Sequence, residues 1–208
     1  MIQSLYDKYV CPHLIDFIMS RTPFPKQRKK IIPNAEGRVL EIGIGSGLNL
    51  GLYDQNKVSE IFSVDPDNVL LNKARKRAKL NNISLNIESL SAEELPFESN
   101  SFDSVVSTYT LCSIKNADKA LAEVNRVMKH SSKFFFSEHG KAPDEDILKW
   151  QKRLNPIWSR IAGGCHLDKD IPSIISKSNF KIPEIKSTYV PGPKFGSYHY
   201  WGYAIANK

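Results

Sequence analysis

Hydrophobic and polar positions along the middle of the chain predict strands and helices in alternation. Short apolar runs predict five strands, at 38–42, 60–64, 84–90, 102–108 and 133–137. Between them, the spacing of apolar residues predicts helices near 48–54, 67–81 and 116–129. This alternation is typical of βαβ units, and right-handed crossovers between parallel strands then require a doubly wound sheet. We therefore expect an α/β fold whose ligand crevice lies at the carboxyl ends of the strands.

Residues before the first strand follow a different pattern. Between residues 3 and 20 the apolar side chains have roughly helical spacing, and Thr22-Pro23-Phe24-Pro25 then breaks the helix. Because this piece precedes the sheet, it is an accessory element that could cover the crevice. We interpret residues 1–30 as an N-terminal helical lid on a single domain of residues 1–208.

The pattern changes again after Glu138. A polar and aromatic stretch follows, and we interpret residues 139–183 as an insertion on the substrate side, with a short helix near 170–178. Two β-like runs, at 184–190 and 198–206, are expected to close the sheet as an antiparallel hairpin at its edge.

Three glycines at alternate positions follow the first predicted strand. In the run from Val39 to Leu48, a buried strand ends in the acid Glu41, and the chain then turns sharply at the glycines. Such a turn lets the backbone approach a nucleotide. The dinucleotide pattern G-x-G-x-x-G aims a helix N-terminus at a pyrophosphate, whereas E-x-G-x-G-x-G has an acid just before the turn. That arrangement suits a ligand with a cationic or amino-acid end, and S-adenosylmethionine has both.

Further candidate contacts follow the next three strands. Asp65 lies where a carboxylate can accept hydrogen bonds from both ribose hydroxyls. The loop from Ser91 to Phe97 either reads an adenine edge or is an ordinary loop whose acids cap the next segment. After the fourth strand, polar residues 107–110 face the sulfonium, or have a core or turn role. The predicted cofactor-binding residues are Glu41, Gly43, Ile44, Gly45, Gly47, Asp65, Pro66, Ser91, Ala92, Glu93 and Thr108.

Composition and charge narrow the class of protein. The 208 residues suffice for one core, and the formal net charge is +7. Basic clusters at 26–30 and 73–79 are solvated helix faces, or they attract anionic lipid, an acidic substrate or nucleic acid. Three cysteines cannot pair completely and show no metal-ligand spacing, so we expect a cytoplasmic protein without a metal site. No run of eighteen apolar residues occurs, so we expect at most peripheral membrane contact.

Together these segments resemble the class I S-adenosylmethionine-dependent methyltransferases. The resemblance covers residues 38–138 and rests on Val39–Leu48, Val64-Asp65-Pro66, Ala92–Phe97, Ser101-Phe102-Asp103 and Leu121–Lys129. It implies a Rossmann-like seven-stranded sheet of order 3-2-1-4-5-7-6 with the last strand antiparallel. It also implies cofactor contacts from the glycine loop, ribose contacts from Asp65 and adenine contacts around Ala92 and Glu93. This chain departs from the family at Ser91, where many members have an aspartate, and at His130-Ser131-Ser132, which replaces a glycine turn.

The flanks are similar to the methyltransferase-like-seven group of thiol methyltransferases. The similarity rests on segments at Tyr6–Pro12, Glu138-His139, Trp150-Gln151, Asn155–Trp158, Gly163–Leu167 and Gly202-Tyr203-Ala204. The relatives carry an N-terminal membrane anchor, which we do not expect in this chain. The resemblance implies a small, hydrophobic methyl acceptor such as a thiol, with S-adenosylhomocysteine as the product.

The acceptor site is predicted from residues near the strand ends and in the flanks. His139 is the first candidate for a catalytic base or substrate contact, with a structural, hydrogen-bonded histidine as the alternative. His166 and His199 are weaker candidates. The predicted substrate contacts are Tyr6, Tyr109, Cys165 and Trp201, although Cys165 and the tryptophans fit core packing as well.

Several functions therefore remain open at this stage. The first is methylation of a small acceptor such as a thiol, a quinone precursor or a lipid amine by a monomer or homodimer. Nucleic-acid methylation is less expected, because Ser107-Thr108-Tyr109-Thr110 lacks the Asn/Asp-Pro-Pro-aromatic pattern of amino-methylating base enzymes. A cofactor-binding protein without catalysis is the third hypothesis.

Overall fold

The computed structural model describes the backbone of residues 2–208 and the side chains from residue 5 onward. Met1 of the predicted lid lies outside the described residues. Seven strands form one sheet: β1 (Gly37–Ile42), β2 (Val58–Val64), β3 (Leu85–Glu88), β4 (Phe102–Thr108), β5 (Met128–His139), β6 (Phe180–Tyr189) and β7 (Tyr198–Ala206). The helices are α1 (Ile2–Tyr9), α2 (Cys11–Met19), α3 (Phe24–Arg28), α4 (Asn68–Leu80), α5 (Ala117–Val127), α6 (Glu145–Ile161) and α7 (Ile171–Lys177).

The strand order is β3-β2-β1-β4-β5-β7-β6. Strands β1 to β5 pair in parallel, and β7 runs antiparallel to both β5 and β6. The predicted fold class, the strand order and the closing hairpin are therefore confirmed. The carboxyl ends of the parallel strands meet at one edge of the sheet, which is where a doubly wound fold binds its ligand.

Buried side chains form a core on each face of the sheet. Along β1, Leu40 and Ile42 point into the core that α5 and α7 cover, while Val39 points into the core that α4 covers. Because side chains alternate along a strand, Glu41 lies on the same face as Val39. The two cores hold the strand ends at fixed positions, and the loops that leave these ends form the candidate site.

The N-terminal residues pack against α4 and α6. The predicted helix over residues 3–20 is wrong in being continuous, because the chain breaks at Val10 and restarts with Pro12 in the first turn of α2. Asp16 of α2 forms ion pairs with Lys73 (2.8 Å) and Arg77 (2.9 Å) of α4. The Tyr6 hydroxyl of α1 donates to the Ile161 carbonyl oxygen at the end of α6 (2.7 Å).

Other elements differ from the prediction in length or kind. The helix expected near 48–54 is only a 3₁₀ turn, Leu50–Leu52, and the extended backbone of Tyr53 ends it. Gly51 lies inside this turn, and glycine weakens a helix interior. In the other direction, the segment after Glu138 contains the long helix α6, which the sequence analysis did not assign. Pro156 lies inside α6, and an interior proline normally signals a helix break.

Candidate active site

The turn after β1 and the end of β2 are joined through Asp65. Its Oδ2 accepts a hydrogen bond from the Gly45 backbone N–H (2.8 Å), and its Oδ1 accepts one from the Asp67 N–H (2.8 Å). Burial raises the pKa of Asp65, although these two N–H groups oppose the shift. The carboxylate is thus held in one orientation beside the glycine turn. Each oxygen keeps a second lone pair, which is what a ribose hydroxyl requires.

Two glycines of the turn have contrasting surroundings. A Cβ added to Gly43 would overlap the side chain of Thr110, so this position is closed by the protein itself. At Gly45 the backbone has φ of +53°, and a Cβ would meet only Leu70 Cδ1, at 3.9 Å. Open space over a glycine backbone lets a ligand approach the main chain closely. The turn and Asp65 therefore fit S-adenosylmethionine, and we call residues 43–49 and 65–67 the cofactor side.

Glu41 lies beneath the turn in a buried polar network. Its Oε1 accepts from Asn49 Nδ2 (2.8 Å) and its Oε2 from the Tyr53 hydroxyl (2.7 Å). Asn49 Nδ2 also donates to Thr108 Oγ1 (3.0 Å), which joins the turn to the end of β4. Burial raises the pKa of Glu41 to about 7, although the Tyr53 and Asn49 hydrogen bonds and the Arg28 charge lower it. Glu41 thus fixes the shape of the turn from within the protein.

The remaining predicted cofactor contacts are placed in different environments. Beyond β3, Ala92 is buried in the core and Ser91 is exposed. Glu93 Oε1 accepts from the N–H of Asn116, the residue before α5 (3.0 Å), so its carboxylate binds the backbone of a distant segment. Ile44 is buried in the core and Pro66 is exposed beside Asp65. Gly47 completes the turn. Contacts of these residues with the cofactor stay a prediction.

An aromatic cluster covers the end of β4. Tyr109 has φ of +56°, which is uncommon for a residue with a side chain and occurs often at functional sites. Its hydroxyl is 3.2 Å from His199 Nδ1, and its ring packs edge-on against Phe24 with centroids 5.1 Å apart. Burial lowers the pKa of His199 to about 3, so this imidazole is neutral.

Arg28 is a functional candidate that the sequence analysis missed. Its guanidinium lies 5.0 Å over the Tyr109 ring, and Nη1 donates to the Met19 carbonyl oxygen (2.9 Å). The side chain is buried, and its Nε has no hydrogen-bond partner among the described residues. Burial lowers the pKa of Arg28, while the charges of neighbouring Tyr109, Glu41 and Glu138 oppose the shift. An arginine nevertheless stays protonated in proteins, so a buried cation lies here.

The interpretation of residues 26–30 as a solvated basic helix face is therefore wrong for Arg28, because its side chain is buried. One signal could have revealed this. Phe24 and Arg28 are four residues apart, so they share one face of α3, and a large aromatic on that face indicates burial.

Cys112, His139 and Cys165 converge at the ends of β4 and β5. His139 Nε2 is 3.0 Å from Cys165 Sγ, and the ligand atoms of all three residues lie within 4.8 Å of one another. Trp158 Nε1 donates to Cys165 Sγ (3.4 Å). A hydrogen bond from Cys112 lowers the pKa of the Cys165 thiol. The sequence could not reveal this cluster, because its members come from three separate elements.

Tyr6 and Trp201, two of the predicted substrate contacts, hold protein segments together. Tyr6 joins α1 to α6 as described above. Trp201 lies in β7 with Lys30 Nζ 3.4 Å above its ring, so it packs against the stretch that follows α3. His166 is exposed. By contrast, Tyr109, Cys165 and the predicted base His139 lie together near Phe24, Arg28 and His199, and we call these residues with Cys112 the acceptor side.

The chain is similar in sequence to known methyltransferases. A family model described as a methyltransferase domain matches residues 40–136. Thiol S-methyltransferase TMT1B of Rattus norvegicus is 32% identical over 163 residues, 76% of this chain and 65% of that protein. TMT1B of Homo sapiens is 30% identical over 171 residues, 79% of this chain and 68% of that protein. The chain thus spans about two thirds of the length of these curated relatives.

Relatives with other substrates in their names also match. Ubiquinone/menaquinone biosynthesis C-methyltransferase UbiE of Rickettsia prowazekii is 36% identical over 126 residues, 57% of this chain and 50% of that protein. Phosphatidylethanolamine N-methyltransferase of Cereibacter sphaeroides is 26% identical over 176 residues, 82% of this chain and 83% of that protein.

Solved structures share the fold at low sequence identity. A methyltransferase from Thermotoga maritima has a TM-score of 0.66 and 17% identity, and the match covers 100% of both chains. Geranyl diphosphate methyltransferase in complex with S-adenosylmethionine has a TM-score of 0.70 and 12% identity, over 88% of this chain and 85% of that one. Because human TMT1B is 30% identical to this chain over more than two thirds of its own length, the chain belongs to the S-adenosylmethionine-dependent methyltransferases, whose cofactor is the methyl donor.

Proposed function

We propose that this methyltransferase acts on a small, hydrophobic thiol. The observation that carries the proposal is the buried guanidinium of Arg28, which lies over the Tyr109 ring, itself packed edge-on against Phe24. A thiol is nucleophilic as its thiolate, and a cation in a buried, apolar setting lowers the pKa of a nearby thiol. The similarity to thiol S-methyltransferase TMT1B supports the same acceptor class.

Methyl transfer requires little more from the protein than alignment and a deprotonated acceptor. The bound cofactor supplies an activated methyl group on its sulfonium. In the proposed mechanism, the glycine turn and Asp65 hold the cofactor, while Phe24 and Tyr109 exclude water from the acceptor. Arg28 favours the thiolate, and His139 is the candidate acceptor of the thiol proton.

Labelled S-adenosylmethionine tests the acceptor class. The full chain is incubated with an alkyl thiol, thiophenol, a phenolic quinone precursor, phosphatidylethanolamine vesicles and RNA. We expect label on the two thiols. Label confined to the quinone precursor, to the lipid or to RNA would overturn the thiol proposal, and binding without transfer to any acceptor would favour a non-catalytic protein.

Arg28→Met and Arg28→Lys separate the role of the cation from packing. Arg28→Lys keeps a charge, whereas Arg28→Met keeps only a similar apolar stem. We expect wild type to methylate thiols fastest, Arg28→Lys more slowly and Arg28→Met slowest. Equal rates in all three proteins would contradict a role for the guanidinium.

A quinone precursor or a lipid amine is the second candidate. The similarity to UbiE and to phosphatidylethanolamine N-methyltransferase supports it. Exposed apolar side chains on α1, α2 and α6, among them Leu5, Phe17, Ile18 and Ile157, support peripheral contact with a membrane surface, as a lipid acceptor would require. Among the described residues, none of the helices combines the length and the apolar character that a membrane span needs.

The compartment and assembly are proposals as well. The three free cysteines support a reducing compartment such as the cytoplasm. A monomer or homodimer stays our expectation for the assembly, to be measured by light scattering.

A further inference from the structure

We propose that Cys112, His139 and Cys165 form a three-ligand site for Zn²⁺, and that the acceptor thiol takes the fourth position on the ion. The second half of this proposal rests on the proposed thiol methyltransferase function. The first half rests on the geometry of the cluster alone.

The ligand set is the one that zinc prefers. Two thiolates and one imidazole are common zinc ligands, and their negative charge balances a divalent ion in a buried place. Ligand atoms on tetrahedral zinc lie roughly 3.5 to 3.8 Å apart, given the usual bond lengths. The three ligand atoms here lie within 4.8 Å of one another. The widest of these separations has to close by up to about 1 Å to bind an ion, which is within the reach of side-chain rotation.

The Nε2 atom of His139 faces Cys165, so the imidazole would bind the ion through Nε2 and leave Nδ1 for an outer contact. The Nδ1 atom of His139 is buried and has no partner among the described residues, and the residue is only 8% exposed. Buried polar atoms in folded proteins nearly always have a partner. The three ligand atoms are buried, and Cys165 is the least enclosed of the three residues.

The surrounding residues hold the sulfurs in place. Trp158 Nε1 donates to Cys165 Sγ, the kind of outer contact that orients a metal ligand. The N–H of His166 donates to the Cys112 carbonyl oxygen (3.0 Å), which ties the two sulfur-bearing loops together. Lys169 Nζ donates to the carbonyl oxygens of Leu111 and Ile114 on either side of Cys112.

The number of ligands indicates a catalytic rather than a structural site. Structural zinc is usually held by four protein ligands, whereas catalytic zinc has three and keeps one position for substrate or water. Only three candidate ligands converge here within the described part of the chain. A thiol is the soft donor that suits the open position.

The proposed reaction balances without a redox change. With His139 bound to the ion, its imidazole cannot serve as the base, so in the zinc-loaded site the acceptor thiol loses its proton to solvent as it binds, because coordination lowers its pKa. The acceptor sulfur then forms a bond to the methyl carbon of the cofactor, and the bond between that carbon and the sulfonium sulfur breaks. The electron pair of the broken bond stays on the departing sulfur, which gives S-adenosylhomocysteine and a neutral thioether. The thioether is a weaker ligand than the thiolate and leaves.

Metal analysis of the full chain tests the site. The protein is purified under reducing conditions, incubated with Zn²⁺, freed of excess ion and analysed by mass spectrometry of its metal content. We expect about one Zn²⁺ per chain, and a loss of about tenfold or more in Cys112→Ser, Cys165→Ser and His139→Gln. Cys11→Ser is the matched control, because Cys11 is a buried cysteine outside the cluster and its loss should leave the zinc content unchanged.

Several outcomes would overturn the site. These are wild-type protein without zinc, zinc content unchanged in Cys165→Ser, or a Cys112–Cys165 disulfide as the resting form. Circular dichroism checks that each variant is folded. If Cys112→Ser does not fold, the partly exposed Cys165 provides the decisive variant.

Cobalt substitution tests the fourth ligand separately. In the Co²⁺ protein, sulfur ligands give a charge-transfer absorption, and we expect thiophenol to shift it. No shift would overturn the role of the acceptor as a ligand. A shift without methyl transfer to any thiol would support the metal site and contradict the proposed function, so the two failures are distinguishable.

Discussion

The cofactor side and the acceptor side lie at the same edge of the sheet but are built differently. On the cofactor side, two short loops supply the site, and backbone N–H groups of Gly45 and Asp67 fix Asp65. On the acceptor side, side chains from five separate stretches meet, and packing of rings and sulfurs holds them. One side is defined by the course of the backbone, and the other by which side chains happen to be present.

This difference explains how related proteins can bear the names of different substrates. The family model matches residues 40–136, which include the whole cofactor side. Arg28, Cys165 and His199 lie outside that range. Substitutions among packed side chains alter a pocket without moving the strands that carry the cofactor loops. The acceptor side can therefore diverge while the methyl-donor site stays the same.

Gly43→Ala is expected to have the largest effect and tests whether the backbone defines the cofactor side. The new methyl group would overlap Thr110, and φ at this position is +67°. Overpacking costs about 1–3 kcal/mol and a left-handed backbone about 1–2 kcal/mol. We expect the free energy of unfolding in urea to fall by about 3 kcal/mol or more.

Gly45→Ala is the matched control for Gly43→Ala. Its methyl group enters open space, so we expect a loss of stability of only about 1–2 kcal/mol from the backbone conformation. Calorimetry should instead show S-adenosylmethionine binding weakened more than about tenfold, because the methyl group fills the cofactor's approach. Unchanged affinity would mean that the ligand does not approach Gly45.

Glu41 is where the two sides influence each other, and its titration is the second prediction. Its pKa is 4.5 in the unfolded chain and about 7 when buried. Between these pH values the folded protein keeps a proton that the unfolded chain has lost, so stability falls as pH rises. The contribution lost is about 3 kcal/mol by pH 7.

Glu41→Gln isolates this effect, because glutamine does not titrate. We expect the free energy of unfolding of wild type to fall by about 3 kcal/mol relative to that of Glu41→Gln between pH 4.5 and pH 7. If the free energies of unfolding of wild type and Glu41→Gln differed by the same amount at pH 4.5 and pH 7, the raised pKa of Glu41 would be contradicted. Because the Arg28 charge lowers the pKa of Glu41, the shift should be larger in an Arg28→Met background.

The fold was largely predictable because its signals are local. Strands β1 to β5 appear as short apolar runs, and the rules of βαβ crossovers limit how they can be ordered. The helix α6 escaped prediction because Pro156 lies inside it, where the surrounding turns tolerate it. The helix expected near 48–54 failed because Gly51 favours a tighter turn. In α6 the tertiary context overrode the local preference of Pro156, whereas at 48–54 the local preference of Gly51 outweighed the helical spacing of the apolar residues.

The candidate site was predictable only in part, for the same reason. Asp65 and the glycine turn end two consecutive, adjacent strands, and their residue types are constrained by what the backbone must do there. Cys112, His139 and Cys165 are distant from one another along the chain, so no spacing identifies them. Arg28 resembles its exposed neighbours until the packing of α3 shows that it is buried.

Asp65→Ala is the third prediction and tests whether the cofactor side is one unit. Removing the carboxylate takes away the proposed ribose acceptors and releases the Gly45 N–H. We expect S-adenosylmethionine to bind more than about tenfold more weakly in calorimetry, which is about 1.4 kcal/mol. Zinc content, which belongs to the acceptor side, should not change.

Asp67→Ala provides the control for Asp65→Ala. Its Oδ1 accepts from the N–H groups of Val69 (2.8 Å) and Leu70 (3.1 Å), which cap α4. Losing such a cap costs about 1 kcal/mol of stability, and we expect little change in cofactor affinity. Similar losses of affinity in both variants would show that the loop, and not the Asp65 carboxylate, determines binding.

Lys30→Met has the smallest expected effect and tests how the acceptor side is held. Lys30 Nζ lies over the Trp201 ring and donates to Gln27 Oε1 (2.8 Å), so it fixes the stretch that follows Arg28. A cation over an indole at an exposed position contributes about 0.5–1 kcal/mol. We expect a loss of about 1 kcal/mol in the free energy of unfolding, with cofactor affinity unchanged. Lys29→Met removes an exposed charge from the same basic run, and an equal loss of stability there would show that net charge, rather than contact with Trp201, is responsible.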